Sequence, residues 1–153
     1  MKLHLEILFV LLLTACAGGA SDVKTPGPVV PIHTALTNTQ WRLTDLNGQK
    51  PLAGTTITLA FSETTLSGSD GCNMYGGGSD SGPYLATVDG TITISQTAVT
   101  AMQCLGPAGI TEQETAYMAA LHQAATYKVS NGELVIVNST GKTLLVFQSD
   151  NHS

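Results

Sequence analysis

The most reactive side chains in this sequence are two cysteines set in uncharged or glycine-rich surroundings. Cys72 lies in Gly68-Ser69-Asp70-Gly71-Cys72-Asn73-Met74-Tyr75-Gly76-Gly77-Gly78, and Cys104 ends Thr100-Ala101-Met102-Gln103-Cys104. A Cys72 thiolate with His122 as its base would be a nucleophile, provided the thiol pKa is lowered and the two groups meet. The same two cysteines suit a disulfide in an oxidising compartment. Asp70, Asp80 and Asp89 stand among glycines, as calcium ligands often do. They lack the EF-hand spacing with its terminal glutamate and the tandem nonapeptide of calcium rolls, so they read as turn residues. His4, His33, His122 and His152 are too dispersed to complete a zinc set. No P-loop, dinucleotide fingerprint or Gly-x-Ser-x-Gly elbow occurs, and Gly76–Gly82 is followed by no helix start, so it reads as a surface loop. The expectation is no catalytic residue, no metal and no cofactor. What remains is a candidate binding loop of Asp70, Gly71, Asn73 and Tyr75, with Asn73 well suited to a tight turn.

The N-terminus sets the compartment. Met1-Lys2 is a minimal basic region and Ile7 to Leu13 an apolar run, far short of the roughly 20 residues of a spanning helix. Leu13-Thr14-Ala15-Cys16 then resembles the lipobox of bacterial lipoproteins, which implies cleavage after residue 15 and acylation, palmitate included, at Cys16. Ala17, rather than Asp, implies by the same resemblance the outer membrane, with the domain facing the periplasm. Each buried CH₂ contributes about 0.8 kcal/mol, so several acyl chains hold a soluble domain on a bilayer. Three cysteines are present. With Cys16 lipidated, Cys72 and Cys104 are left to pair, which would stabilise the fold by roughly 3–4 kcal/mol in the chain-entropy model.

Composition excludes other classes. The net charge is −5, and only 11% of residues are charged, with six Lys and Arg that form no cluster. Nucleic-acid binding through phosphate neutralisation is excluded on this ground. Membrane attachment is expected through the N-terminal lipid alone.

Residues 16–37 are rich in Ala, Gly, Thr and Pro and read as a tether. From there to about residue 150 the texture is one domain of short alternating segments. Strands are expected at 41–46, 55–61, 64–69, 127–130, 133–137 and 144–147, and a hairpin at 84–88 and 91–95 with a two-residue Asp89-Gly90 turn. Thr111-Glu112-Gln113-Glu114 has the form of a capping box opening a helix over 111–124, with Tyr117, Leu121 and Ala124 on its buried face. The fold class expected is α+β, mostly antiparallel, with seven or eight strands curled into a barrel-like or sandwich form and one helix covering it. Trp41 is read as a core or lid residue.

Several of these segments together resemble the META domain, also called the HslJ-like domain. The likeness runs through Trp41-x-Leu43, Ile57-x-Leu59-x-Phe61, Gly68 to Asn73, Thr100 to Cys104, Glu112 or Glu114 entering the helix, and Leu144 to Phe147. It covers roughly residues 38–148. It implies an exported, often lipid-anchored β-rich domain linked to envelope or stress physiology, without a settled activity. Ala101 departs from a position that is often basic in the family, so no basic-residue role is carried over. The function expected is a non-enzymatic binding or envelope stress-response module with an envelope protein partner. The alternatives are a small-ligand carrier inside a barrel, a protease inhibitor acting through the glycine loop, and a thiol-dependent enzyme.

Overall fold

The computed structural model describes residues 35–77 and 82–150. The expected signal, Cys16, most of the tether, Asp80, His4, His33 and His152 lie outside these residues.

Among the described residues nine strands and one helix follow in order: β1 Thr39–Leu46, β2 Ile57–Phe61, β3 Leu66–Asp70, β4 Met74–Gly76, β5 Tyr84–Ala86, β6 Ile92–Ile94, α1 Ile110–His122, β7 Thr126–Ser130, β8 Glu133–Val137 and β9 Thr143–Ser149. Seven strands form one antiparallel sheet in the order β4-β3-β2-β1-β9-β8-β7, and β5 pairs with β6. The fold is mostly antiparallel β with one helix, as expected. The count exceeds the expected seven or eight because β4 is too short, and too rich in glycine around it, to be seen as a strand in the sequence.

Alternation decides which face is buried. Ile57, Leu59 and Phe61 of β2 point inward, as do Trp41 and Leu43 of β1. Continuing that alternation would bury Asp45. Instead the register against β9 shifts between Leu43 and Asp45, so that Leu46 is buried. The inserted residue is a β-bulge that changes the phase of the side chains. Leu36 is fully buried, so the packed domain begins before residue 38, where composition placed it.

The sheet is curled and open, not a closed barrel, and its ends are β4 and β7. The β5–β6 hairpin spans the gap. Ile92 N donates to Ala125 O at 3.0 Å and Tyr127 N to Gly90 O at 2.7 Å on the β7 side. Leu66 N donates to Gly82 O at 2.8 Å and Tyr84 N to Thr64 O at 3.2 Å on the other. The free edge of β4 is covered by the segment after β6, with Gly76 N donating to Ala98 O and Thr100 N to Met74 O. These bonds leave little open edge for pairing with another chain. Helix α1 packs on β1, β3, β6 and β9. The core they form includes Tyr75, Tyr117, Phe147, Leu59 and Leu121, all buried.

Two local expectations change. The β5–β6 hairpin closes on a three-residue loop, Val88, Asp89 and Gly90, inside the Thr87–Thr91 pair: Gly90 N donates to Thr87 O, Gly90 takes φ 90°, and Thr87 N donates to Thr91 O. That is a turn followed by a left-handed glycine, one residue longer than the expected tight hairpin. The capping box also does not form. The helix begins at Ile110, after Gly109 at φ 90°, with no side-chain cap. Thr111 does not cap because it lies inside the first turn, and Glu114 is engaged elsewhere.

Candidate functional site

Asp70, the last residue of β3, turns the chain back into β4. Its Oδ1 accepts from Cys72 N at 3.0 Å and Asn73 N at 2.6 Å, while Asp70 N donates to Asn73 O at 3.0 Å. This is an Asx-type turn, and Gly71 at φ 105° supplies the conformation that a side chain would resist. Asp70 is buried. It acts inward on the turn and offers no surface to a ligand.

Asn73 fastens this turn to the long connection between β6 and α1. Its Oδ1 accepts from Met102 N at 2.8 Å and Thr100 Oγ1 at 3.1 Å, and its Nδ2 donates to Glu114 Oε1 at 2.9 Å. The covalent link lies alongside: Cys72 and Cys104 are joined, with Cα atoms 5.8 Å apart and a sequence separation of 32. Glu114 Oε1 is 3.1 Å from Cys104 Sγ. Burial raises the Glu114 pKa. The charge of Asp70 and a shared carboxyl hydrogen bond with it raise it further, against the lowering by the Asn73 amide.

Of the expected loop residues, Asp70, Gly71 and Asn73 therefore come together around the disulfide. Tyr75 does not join them. It is in β4 and points into the core, where its hydroxyl lies 2.6 Å from Thr58 O and 2.6 Å from Tyr117 Oη. Burial pushes both phenols well above the ordinary tyrosine range. His122 is not the partner of Cys72; its Nε2 lies 3.1 Å from Thr97 Oγ1. Trp41 is a core residue whose Nε1 donates to Thr39 Oγ1 at 2.6 Å.

Cys72, Cys104 and Glu114 are a group whose ligand atoms lie within 4.8 Å of one another. With both sulfurs in the disulfide, only the carboxylate is available to an ion. Asp89 belongs to the β5–β6 turn, accepting from the Thr87 hydroxyl and from Thr91 N, and these donors lower its pKa.

Two features are not anticipated by the reading of the sequence. Buried Gln113 ties α1 to the β1–β2 connection, its Oε1 accepting from Leu52 N at 2.6 Å and its Nε2 donating to Thr55 Oγ1 at 3.1 Å. No local pattern marks such a pairing. The second is a surface that was legible in principle. Among the described residues the exposed large apolar side chains are Met74, Leu85, Val88, Val99, Met102 and Leu105, the last 90% exposed. All fall between residues 74 and 105, where Asp80 and Asp89 are the only charges. Met74, Met102 and Leu105 flank the disulfide along the chain, and the Thr100 and Asn73 side chains accept from the Met74 and Met102 amides respectively.

A family model for the META domain matches residues 34–151. An NMR structure of a protein from Burkholderia xenovorans is similar, with 28% identity and a TM-score of 0.59 over 76% of this chain and 85% of that one. A crystal structure of a DUF4847 family protein from Bacteroides vulgatus shares the fold at 14% identity and a TM-score of 0.51, over 74% of this chain and 94% of the other. No curated protein matches the chain significantly.

Proposed function

The chain belongs to the META domain family, and from that premise we propose that it is a lipid-anchored, non-enzymatic binding module of the bacterial envelope, serving under envelope stress. The anchor is Cys16, in the lipobox-like Leu13-Thr14-Ala15-Cys16, and the tether leads from the periplasmic face of the outer membrane to the domain. The pairing of Cys72 with Cys104 supports this, because it leaves Cys16 as the remaining cysteine of three.

The observation that carries the binding reading is the set of exposed apolar side chains next to the disulfide, Met74, Met102 and Leu105, in a stretch with few charges. Exposed apolar side chains are ordinary when scattered, but their concentration in one region marks an interaction surface. Methionines adapt their shape to a partner at little cost. The disulfide and Asn73 hold the loop in place beforehand, which reduces the ordering cost of binding. The partner is an envelope protein that brings an apolar surface of its own.

A photo-crosslinking amino acid at Leu105, in intact cells, tests this against the same probe at Thr140 in the β8–β9 turn. The expected result is a discrete protein adduct from position 105 alone, lost when Met102→Asp is added. Adducts equal at both positions, or none at 105, would reject a binding role for this surface.

A further inference from the structure

The titratable group beside the two sulfurs is Glu114, and a disulfide that only staples a fold needs no acid there. We propose that Cys72–Cys104 is a redox-active disulfide and that Glu114 is the acid and base for its thiol–disulfide exchange with an external dithiol. Glu114 Oε1 stands 3.1 Å from Cys104 Sγ, within reach for direct proton transfer. The Asn73 amide fixes that oxygen by its 2.9 Å hydrogen bond and itself lies 3.8 Å from the same sulfur. Both cysteines are partly exposed, and their neighbours Met102, Gln103 and Leu105 are exposed, so a thiol has access.

The geometry distinguishes the two sulfurs. A thiolate of the dithiol attacks Cys72 Sγ, forming a mixed disulfide, and the electron pair of the broken S–S bond passes to Cys104 Sγ. The protonated Glu114 carboxyl gives its proton to that sulfur and is re-protonated from solvent. The second thiolate of the dithiol then attacks the external sulfur of the mixed disulfide. Cys72 leaves as a thiolate and takes a proton from water. The dithiol loses two electrons and two protons and becomes a disulfide, and the protein gains both. In the reverse direction Glu114, as carboxylate, removes the proton from Cys104.

The groups facing Glu114 are Asp70 from β3, the Asn73 amide from the β3–β4 turn, and Cys104 from the connection before α1. The stretch from Thr91 to Thr111 contributes no charge, and Glu112 is the other acid of its own helix. Burial and Asp70 both favour the protonated form, so the acid persists to higher pH than in an ordinary glutamate. Reduction would unfasten the connection that carries Met102 and Leu105. The pair is then a stoichiometric redox control on the loop, whatever the state of Cys16.

The test is the rate of reduction of the full-length protein by dithiothreitol from pH 4.5 to 8, read by acid quench, alkylation and intact mass. Rates are divided by the reductant's thiolate fraction. The wild-type rate should fall as pH rises through the Glu114 pKa. Glu114→Gln, which keeps an acceptor for Asn73, should be about tenfold slower at the acidic end and flat with pH. Glu114→Asp should keep a titration step at a reduced rate. Identical rates and profiles in wild type and Glu114→Gln would overturn the proposal. So would a wild-type profile with no inflection, and that reading does not depend on how well any variant folds.

Discussion

Asn73 has one short side chain and uses it in three directions: to the Met102 amide, the Thr100 hydroxyl and the Glu114 carboxylate. Its truncation leaves those groups without this partner, and Asn73 itself is buried. Asn73→Ala should therefore cost roughly 2–3 kcal/mol, seen as a lower urea midpoint with an unchanged slope. Glu114 makes a pH-dependent prediction. Its folded pKa is raised above the unfolded value, so its stabilising contribution is complete below about pH 4 and is lost as pH rises through the folded pKa. The unfolding free energy of the wild type minus that of Glu114→Gln should fall with rising pH across that window, which removes the opposite contribution of Asp89 common to both. Glu114 also marks the limit of what local sequence specifies. The spacing Thr111 to Glu114 fits a capping box, yet the carboxylate is drawn to Asn73, 41 residues away. A local pattern cannot anticipate a competing partner brought by the tertiary fold.

At the scale of elements, alternation makes the β2 and β8 core positions readable from sequence, because a half-buried strand repeats every two residues, whereas β9 buries the adjacent Leu144 and Leu145. The phase change in β1 is not readable in this way, since a bulge is set by the pairing with β9. Nor is β4, whose three residues matter for where they bring Tyr75 and Gly76. The close packing of β3 on β2 depends on Gly68. A Cβ there would collide with the Thr58 carbonyl and lie 2.6 Å from the Tyr75 hydroxyl. Gly68→Ala should destabilise the domain by about 3 kcal/mol, because backbone must move to admit the methyl group. Thermal unfolding followed by circular dichroism would measure it. The disulfide itself follows from counting cysteines, and its consequence is calculable. Opening a loop of 32 residues' separation should cost roughly 3–4 kcal/mol, measurable on the Cys72→Ser, Cys104→Ser double variant by denaturant titration.

For the whole molecule, the proposed division of labour is between a lipid anchor at Cys16, a filled β-rich body and the exposed apolar side chains beside the disulfide. The body is legible from pattern, and the proposed anchor rests on a short motif, Leu13-Thr14-Ala15-Cys16. Those side chains are spelled out only as ordinary Met and Leu residues, which the fold leaves exposed where a core position would have hidden them. Met102→Ser with Leu105→Ser should leave stability within about 0.5 kcal/mol, as surface changes usually do, while abolishing the Leu105-region adduct read from a probe at Val99. The measurement that tests the central claim most directly is the intact mass of the full protein extracted from membranes and alkylated without reduction. The expected species is a mature chain beginning at Cys16, carrying three acyl chains, two protons lighter for the Cys72–Cys104 bond, and free of alkyl adducts. A chain with an unmodified Cys16, or one recovered only in the soluble fraction, would contradict it.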